Sequence, residues 1–473
     1  MSAPGRSRRL RDGALAALIC LGFYLLLRQD LLYGDGSILL VARARGELQH
    51  PNHLLHYWIV AAGQLLLAPL GLPLFDELGL VNAGLVALGT GVAHAAGSRF
   101  GLARGPCFAF ALLQGLAPVT IFYATVYELP GAFFPFVAGA ELALAHAVAA
   151  PGWARGAVLG LVTGLATGAH ATGHLVLAIV LPWLVLAAER GGTSRAQQLR
   201  AAGAALACHA LTVACLGWLL RARRSEGPVA TQFELLANYF SVRLDLLPAS
   251  IWHEWLVAFG LLAWVWLLAF QRAETRWLGW LVLLPFVPYQ ALSFFLVAYR
   301  DEHGTYMLPL VAPAAYAAVR LLSLRGLALV LVAGLGLGAV TTWQLAAAAG
   351  PQPGQAQVAA LTADGRAIVL FVDPASLQPL VRHQPGLTCV ALHDVRAPDR
   401  PYAEVCSVFD VAFTRFRADG RPIVIAEACL DWLRHQPLPP QRHRFVHEHL
   451  LRRYAFTPQQ AASFRYLVVT PKD

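Results

Sequence analysis

The chain has 473 residues, of which 57% are hydrophobic and only 13% charged, with a mean hydropathy of +0.55. Soluble domains carry about 25% charged residues, so a soluble enzyme, a disordered chain and a disulfide-stapled miniprotein are all excluded. The charge is also uneven: residues 1–350 hold 22 Arg and 16 Asp/Glu, and residues 351–473 hold 13 Arg, one Lys and 11 Asp/Glu. The first part is too apolar for water, while the second has the composition of a soluble domain. The net charge of +9 comes from Arg residues that punctuate apolar segments rather than cluster on one face, so nucleic acid is not an expected partner.

Lipid leaves no unpaired backbone group satisfied, so apolar runs near 20 residues are read as helices. The first, residues 14–32, follows Arg6, Arg8, Arg9 and Arg11, which places the N-terminus in the cytoplasm. No small-residue cleavage site precedes Arg28, so this helix is expected to be retained. Residues 52–71 and 78–98 are both apolar enough to span. If 52–71 instead lies along the outer surface, Arg99, Arg104, Arg155, Arg190, Arg195, Arg200, Arg272, Arg276, Arg320 and Arg325 all become cytoplasmic. That arrangement is preferred. It gives eleven spans, at 14–32, 78–98, 106–127, 131–150, 156–171, 173–188, 201–220, 251–270, 277–298, 305–320 and 326–348. Arg221, Arg223 and Arg224 are the exception, falling on the outer side as a topology error or as a cluster facing an anion.

Residues 346–357, rich in Ala, Gly, Pro and Gln, read as a linker. Beyond it, 367–372, 388–393, 422–427 and 466–470 read as strands, and 375–383, 428–436, 443–453 and 457–464 as helices. The expected architecture is therefore an α-helical polytopic membrane protein with about 11 transmembrane helices (residues 1–348) and a small C-terminal α/β soluble domain (349–473). No Gly-rich phosphate loop is present, so nucleotide binding has no support. No Cys/His spacing suggests zinc, and no cofactor is expected, with a divalent-metal requirement left open by the sequence. Cys389 and Cys406 are a disulfide candidate if the tail faces an oxidising compartment.

Unusual polar residues collect on the outer side. The first external loop reads LLYGDGSILLVARARGELQHPNHLLHYW. Asp35, between two glycines just beyond the first helix, reads either as an interfacial turn residue or as a partly desolvated general base. Arg43 and Arg45 follow at i, i+2. His50, His53 and His56 keep a helical rhythm, but His50 precedes Pro51 and no nearby carboxylate completes a metal set. Glu128 emerges at the outer end of the third span, and Glu141 lies within the fourth. A carboxylate at that depth is either paired or functional. His170 and His174 share a turn one helical turn apart. Arg300, His303 and Tyr306 form a solvated loop or a set of donors for a phosphate at the interface.

These segments resemble a family. GDGSILLVARARGELQHPNHLLHYW is similar to the first external loop of GT-C membrane glycosyltransferases, closest to the protein O-mannosyltransferase-like members with their His-Pro-Pro-type motif. IFYATVYELPGAFFPFVAGAEL is similar to their Glu-Val-Tyr-Ala-Leu-type helix. GLVTGLATGAHATGHLVLAIVLPWLVL is similar to their Gly-Leu…Asn-His segment, with His170 at the His position. HGTYMLPLVAPAAYA resembles their Arg-Tyr-Leu-Leu-Pro segment. The resemblance covers about residues 30–190 and 300–320. It departs from the family pattern at Ile38, where an acidic residue is common, at HPNH, and at Thr125, since Glu128 follows the Val-Tyr pair instead of preceding it.

The resemblance implies transfer of a sugar from a polyprenyl-phosphate donor to a hydroxyl acceptor, protein or glycan, on the outer face. Asp35 and Glu128 would be the catalytic carboxylates. Arg45, His50, His53, His170, His174, Arg221, Arg223, Arg300, His303 and Tyr306 would contact substrate. Two other readings carry different expectations. A transporter or flippase would show inverted repeats and mid-membrane polar groups, and no repeat is visible. A non-catalytic scaffold would use its soluble tail to bind a partner. Arg outnumbers Lys by 35 to one, which points to a GC-rich bacterium, an inner membrane and a periplasmic tail.

Overall fold

The computed structural model describes residues 3–29, 36–48, 53–188, 193–221, 247–291, 304–348, 366–371, 388–391, 402–435, 444–458 and 466–472. They fall into two compact units. One comprises Met1–Asp30 and Leu48–Ala346; the other comprises Leu31–Glu47 and Ala347–Asp473. The first external loop thus divides between units, with Arg45 in the second and His53 in the first.

The first unit is helical: α1 (Ala3–Leu26), α3 (His56–Leu67), α4 (Leu74–Arg99), α5 (Arg104–Gly115), α6 (Pro118–Thr125), α7 (Leu129–Ala149), α8 (Trp153–Ala169), α9 (Val176–Ala188), α10 (Arg195–Arg221), α11 (Leu247–Val257), α12 (Leu262–Gln271), α13 (Arg276–Ala291), α14 (Val311–Leu321) and α15 (Leu324–Ala348). Helix α2 (Gly36–Ala44) belongs to the second unit.

The expected eleven spans are corrected here. Among the described residues, four helices are long and apolar enough to cross a membrane, or six if each of two bent pairs counts as one. Helix-breaking residues explain the difference. Pro118 starts a new helix after Gly115, bending α5–α6 by 56°, and Gly260, at φ +56°, sits in the 104° bend between α11 and α12. Helix α1 is 24 residues long but opens with Arg6, Arg8, Arg9, Arg11 and Asp12, and the others are short: α8 has 17 residues, α9 has 13, α13 has 16 and α14 has 11. Helix α3, at 12 residues, is about 18 Å long and cannot cross the roughly 30 Å of hydrocarbon. It packs on the first turns of α4, where Gln64 donates to Glu77 at 2.9 Å.

The bundle has two chemically distinct ends. At one, Arg104 forms a two-pronged bond to Asp12 at 2.8 Å on both arms, and Arg9 donates to Ser98 at 2.6 Å. His146, at the end of α7, lies within electrostatic reach of Arg99 and Arg155. The stacked Phe100–Trp183 pair (4.9 Å) and Tyr316, which touches both rings and Trp277, tie α9, α13 and α14 to this end. Helices α8 and α10 run parallel away from it. A Cβ on Gly156, Gly160, Gly164 or Gly168 would meet Ala201 O at 2.1 Å, Ala205 O at 2.2 Å, Thr212 Cβ at 2.6 Å or Leu216 Cδ1 at 2.8 Å. Only glycine at this four-residue spacing lets the two backbones approach so closely. Helix α15 makes the same journey, from Leu324 beside Gly105 to Gly338 beside Ile121.

The second unit contains a five-stranded sheet of order β2-β1-β3-β5-β4: β1 (Ile368–Phe371), β2 (Thr388–Ala391), β3 (Ile423–Ala426), β4 (Tyr454–Pro458) and β5 (Tyr466–Pro471). β1 is parallel to β2 and β3, whereas β5 runs antiparallel to β3 and β4. Helices α16 (Tyr402–Ala418), α17 (Glu427–His435) and the helical stretch Phe445–Leu450, continued by Leu451–Arg453, accompany it. β4 replaces the start of the helix expected at 457–464, and α16 was not expected. Its core residues Cys406, Phe409 and Phe413 nevertheless repeat at helical spacing. Cys389 and Cys406 are free thiols, so the suggested disulfide is absent. Burial pushes the Cys389 thiol up to about 11, against the opposing pull of nearby Arg45. The expected helix at 375–383 and the linker from 349 onward lie outside the described residues.

Candidate functional site

Several polar residues of the helical unit meet at the end opposite Arg9, Arg99, Arg104 and Arg155. Helix α6 stops at Thr125, leaving the orphan carbonyls of any helix terminus. Asn82 of α4 answers two of them, donating to Tyr123 O at 2.5 Å and Val126 O at 2.7 Å. The backbone N–H of Gln29 takes Thr125 O at 3.0 Å. The chain then runs extended through Val126 to Glu128, the N-cap of α7 at φ −159° and ψ 168°, and Pro130 follows in the first turn. A Cβ on Gly131 would lie 1.6 Å from Asn82 Oδ1, so the amide and the glycine fix this break together. Glu128 is thereby held buried at the mouth of α7.

His170 caps α8 in extended conformation and opens the 3-10 turn Ala171–Leu175. Its Nδ1 accepts the Thr172 N–H at 3.3 Å and lies 2.7 Å from the Thr172 hydroxyl. His53 Nδ1 accepts the Ala171 N–H at 3.0 Å, and Leu55 N–H donates to Gly168 O at 2.7 Å. In both rings Nδ1 is an acceptor, so the neutral imidazole carries its hydrogen on Nε2. The rings stack at 4.6 Å and 30°. Phe133 lies 5.2 Å and Tyr306 6.3 Å from His170. Buried His56 lies 6.5 Å from Tyr127, the neighbour of Glu128.

Tyr306 is presented by a turn that requires Gly304, at φ +77°, where a Cβ would sit 2.6 Å from Ala258. Gly304 N–H donates to buried Glu254 Oε2 at 2.8 Å, and the Thr305 hydroxyl bonds Tyr123. Glu141 is a separate feature deeper in α7, accepting from Gln114 at 3.0 Å. His174 and His209 form a second imidazole pair, with ring nitrogens 3.0 Å apart. Arg45 belongs to the other unit.

Asp35, His50, Arg223, Arg224, Arg300 and His303 lie outside the described residues. Arg221 ends α10 one turn beyond Leu216, which meets Gly168, so its backbone lies at the histidine end. Asn82, His209 and Glu254 were missed in the sequence. Each is a polar residue within an apolar run, the signal by which intramembrane functional groups are found. Among the described residues, no group of three or more His, Cys, Asp or Glu is arranged to hold a metal.

No family model and no curated protein matches the sequence. Solved structures do match in fold. ArnT from Cupriavidus metallidurans superposes with a TM-score of 0.59 at 15% identity, covering 96% of this chain and 97% of that one. ArnT bound to undecaprenyl phosphate gives 0.55, with 99% and 98% covered. Arabinofuranosyltransferase AftD from Mycobacteria gives 0.51 at 15% identity; this chain spans 98% of its own length but 40% of AftD. The chain therefore shares its fold with these ArnT and AftD structures.

Proposed function

We propose that this chain is a membrane glycosyltransferase that moves a sugar from a polyprenyl-phosphate carrier to a hydroxyl acceptor, protein or glycan. We place the reaction on the periplasmic face of a bacterial inner membrane. The observation that carries this reading is the stacked His53–His170 pair, with Tyr306 beside it and buried Glu128 capping the neighbouring α7. These groups gather at the bundle end away from Arg9, Arg99, Arg104 and Arg155. Basic residues favour the cytoplasmic face, so the cluster would face outward at the level of a lipid-borne substrate. The N-terminus is then cytoplasmic. The C-terminal domain is proposed to be periplasmic. A fold shared with ArnT, solved with undecaprenyl phosphate bound, supports the lipid-linked donor. The hydroxyl acceptor rests on the O-mannosyltransferase-like motifs.

In the reaction the acceptor oxygen attacks the anomeric carbon, the bond from that carbon to the phosphate oxygen breaks, and the electron pair leaves on the phosphate. The acceptor proton passes to a carboxylate. Asp35 is the group proposed, with Glu128 as the second acidic residue. Charge growing on the phosphate is met by the Nε2–H groups of His170 and His53 and by Tyr306. Arg45, His50, His174, Arg221, Arg223, Arg300 and His303 complete the proposed substrate contacts. The test is incubation of membranes with labelled undecaprenyl-phosphate sugars. Wild-type protein should transfer label, while Asp35→Asn and Glu128→Gln should lose transfer and keep expression. Wild-type rates in Asp35→Asn would overturn the assignment of the base.

A further inference from the structure

His174 and His209 belong to a hydrogen-bond chain in which the bond from the Thr163 hydroxyl to Gly160 O sets the proton arrangement. Thr163 donates its single hydroxyl hydrogen to Gly160 O at 3.1 Å, the usual backbone bond of a threonine within a helix. At its 3.0 Å contact with His209 Nδ1, Thr163 Oγ1 is therefore the acceptor, and Nδ1 carries the hydrogen. Neutral His209 keeps a lone pair on Nε2. His174 Nδ1, 3.0 Å away, must donate to it. His174 Nε2 is then left as an acceptor.

The fold explains why this chain forms. His209 is a polar residue set in the apolar run AAGAALACHALTVACLGWLL of α10, and it is 5% exposed. The glycine stripe of α8 draws α10 close enough for His209 to reach Thr163. His174 is exposed at the far end of the chain. The other end stops at a backbone carbonyl of α8, so the chain offers no onward route for protons. What it does is fix which nitrogen of His174 holds the hydrogen.

That outcome is opposite to the one four residues earlier. His170 and His53 have Nδ1 filled by backbone N–H groups, which places the hydrogen on Nε2, and the His170 Nε2–H suits a phosphate oxygen. His174 offers a lone pair, which repels an anion and suits an O–H donor. We propose that His209, acting through Thr163, is a positioning residue that locks His174 in the Nδ1–H form, so that Nε2 accepts a hydrogen bond from a sugar hydroxyl of the substrate. The role of the hydroxyl rests on the glycosyltransferase reading; the lock does not.

Two measurements separate them. Full-length protein labelled with 15N-histidine in lipid nanodiscs gives the ring nitrogen signals, and the His174 pair is identified by its loss in His174→Asn. Wild type should show hydrogen on Nδ1 and a bare Nε2. His209→Phe keeps a buried ring but removes the acceptor, and it should mix the two tautomers; Thr163→Ser, which keeps the hydroxyl, should preserve the wild-type pattern. Hydrogen on Nε2 in wild type would overturn the lock, as would a His209→Phe spectrum identical to wild type. If His209→Phe does not fold, Thr163→Val serves in its place with the same expectation. In transfer assays with undecaprenyl-phosphate sugars, His174→Asn and His209→Phe should raise KM about 3- to 10-fold with kcat little changed, the size of one neutral hydrogen bond. A rise against the donor places the hydroxyl on the transferred sugar, and a rise against the acceptor places it there. Unchanged KM for both would overturn the hydroxyl contact. An absence of transfer in wild type would overturn the function reading and the hydroxyl contact with it, while the spectra still judge the lock.

Discussion

His53 and His170 stack with ring centroids 4.6 Å apart, although they are separated by more than 100 residues and by the six helices α3 to α8 in the chain. The backbone around them carries the pairing: Ala171 N–H enters His53 Nδ1, and Leu55 N–H enters Gly168 O. Each ring is thus held from behind through Nδ1, and His170 keeps its Nε2–H as a donor. His170→Phe keeps the stacked ring and removes that donor. The variant should fold, retain its thermal midpoint within a few degrees and lose transfer about 10- to 100-fold, the size of a hydrogen bond to a charged group. Parallel melting curves and labelled-sugar assays check it. Undiminished transfer would remove His170 from the site.

Asn82 holds the break before Glu128. Asn82→Leu would leave the Tyr123 and Val126 carbonyls buried without their amide. An unpaired buried acceptor costs about 1–3 kcal/mol, so the variant should melt several degrees lower. It should also lose transfer, because Glu128 follows the same break. Gly131→Ala should imitate it, its Cβ displacing the Asn82 side chain. Wild-type melting in both variants would show that the break is held by α7 alone.

The glycine stripe gives a graded expectation. Gly160→Ala drives a methyl into Ala205 O at 2.2 Å, whereas Gly152→Ala meets nothing within 4 Å. Overpacking costs about 1–3 kcal/mol, so Gly160→Ala should be destabilised and Gly152→Ala should not. Separating α8 from α10 should also disturb the His209–Thr163 contact, visible in the histidine ring spectra. Equal melting temperatures for the two variants would contradict the close packing.

The second unit has its own centre at Asp410. One carboxylate accepts from His449 at 2.8 Å, from Tyr454 at 2.6 Å and from Arg453, joining α16 to the stretch before β4. Burial and the nearby carboxylate hold the Tyr454 phenol well above its usual range. Asp410→Ala should destabilise this unit by about 1–3 kcal/mol and leave the helical unit unchanged. Limited proteolysis, with fragments mapped to residues beyond 366, would report it.

The layout of the bundle was legible where hydrophobicity speaks directly. Among the described residues the apolar runs of the first unit are helical, and Arg99, Arg104 and Arg155 share one end because a charge cannot rest within hydrocarbon. The number of full spans was not legible. Pro118 and Gly260 break helices without interrupting apolar composition, and a hydropathy reading does not register the bend. The histidines were visible as residue types at the right turn. Their tautomers were not, because those depend on a threonine and a backbone amide brought in from other segments. In the C-terminal part, buried strands announced themselves as β-branched runs, while α16 was hidden by Asp410 between its core positions and by Arg415 and Arg417 in its last turn.

The arginine-rich end carries a pH dependence of known sign. The hydrogen bonds from Arg104 hold the Asp12 carboxyl below its usual range, with the charges of Arg104, His94 and Arg8 adding to the effect against a smaller opposing cost of burial. A carboxyl depressed in the folded state binds fewer protons there than in the unfolded chain. Its contribution is therefore complete above the unfolded value, near 4, and is lost as pH falls through the lower folded value. The melting difference between wild type and Asp12→Asn should stay constant from pH 8 to pH 5, shrink below pH 4, and close once Asp12 is protonated in both states. High salt should narrow the gap at pH 7, since Arg104 is largely exposed and screened. A gap that widened on acidification would mean that the Asp12 carboxyl is raised in the folded protein, and that Arg104 is not its dominant partner.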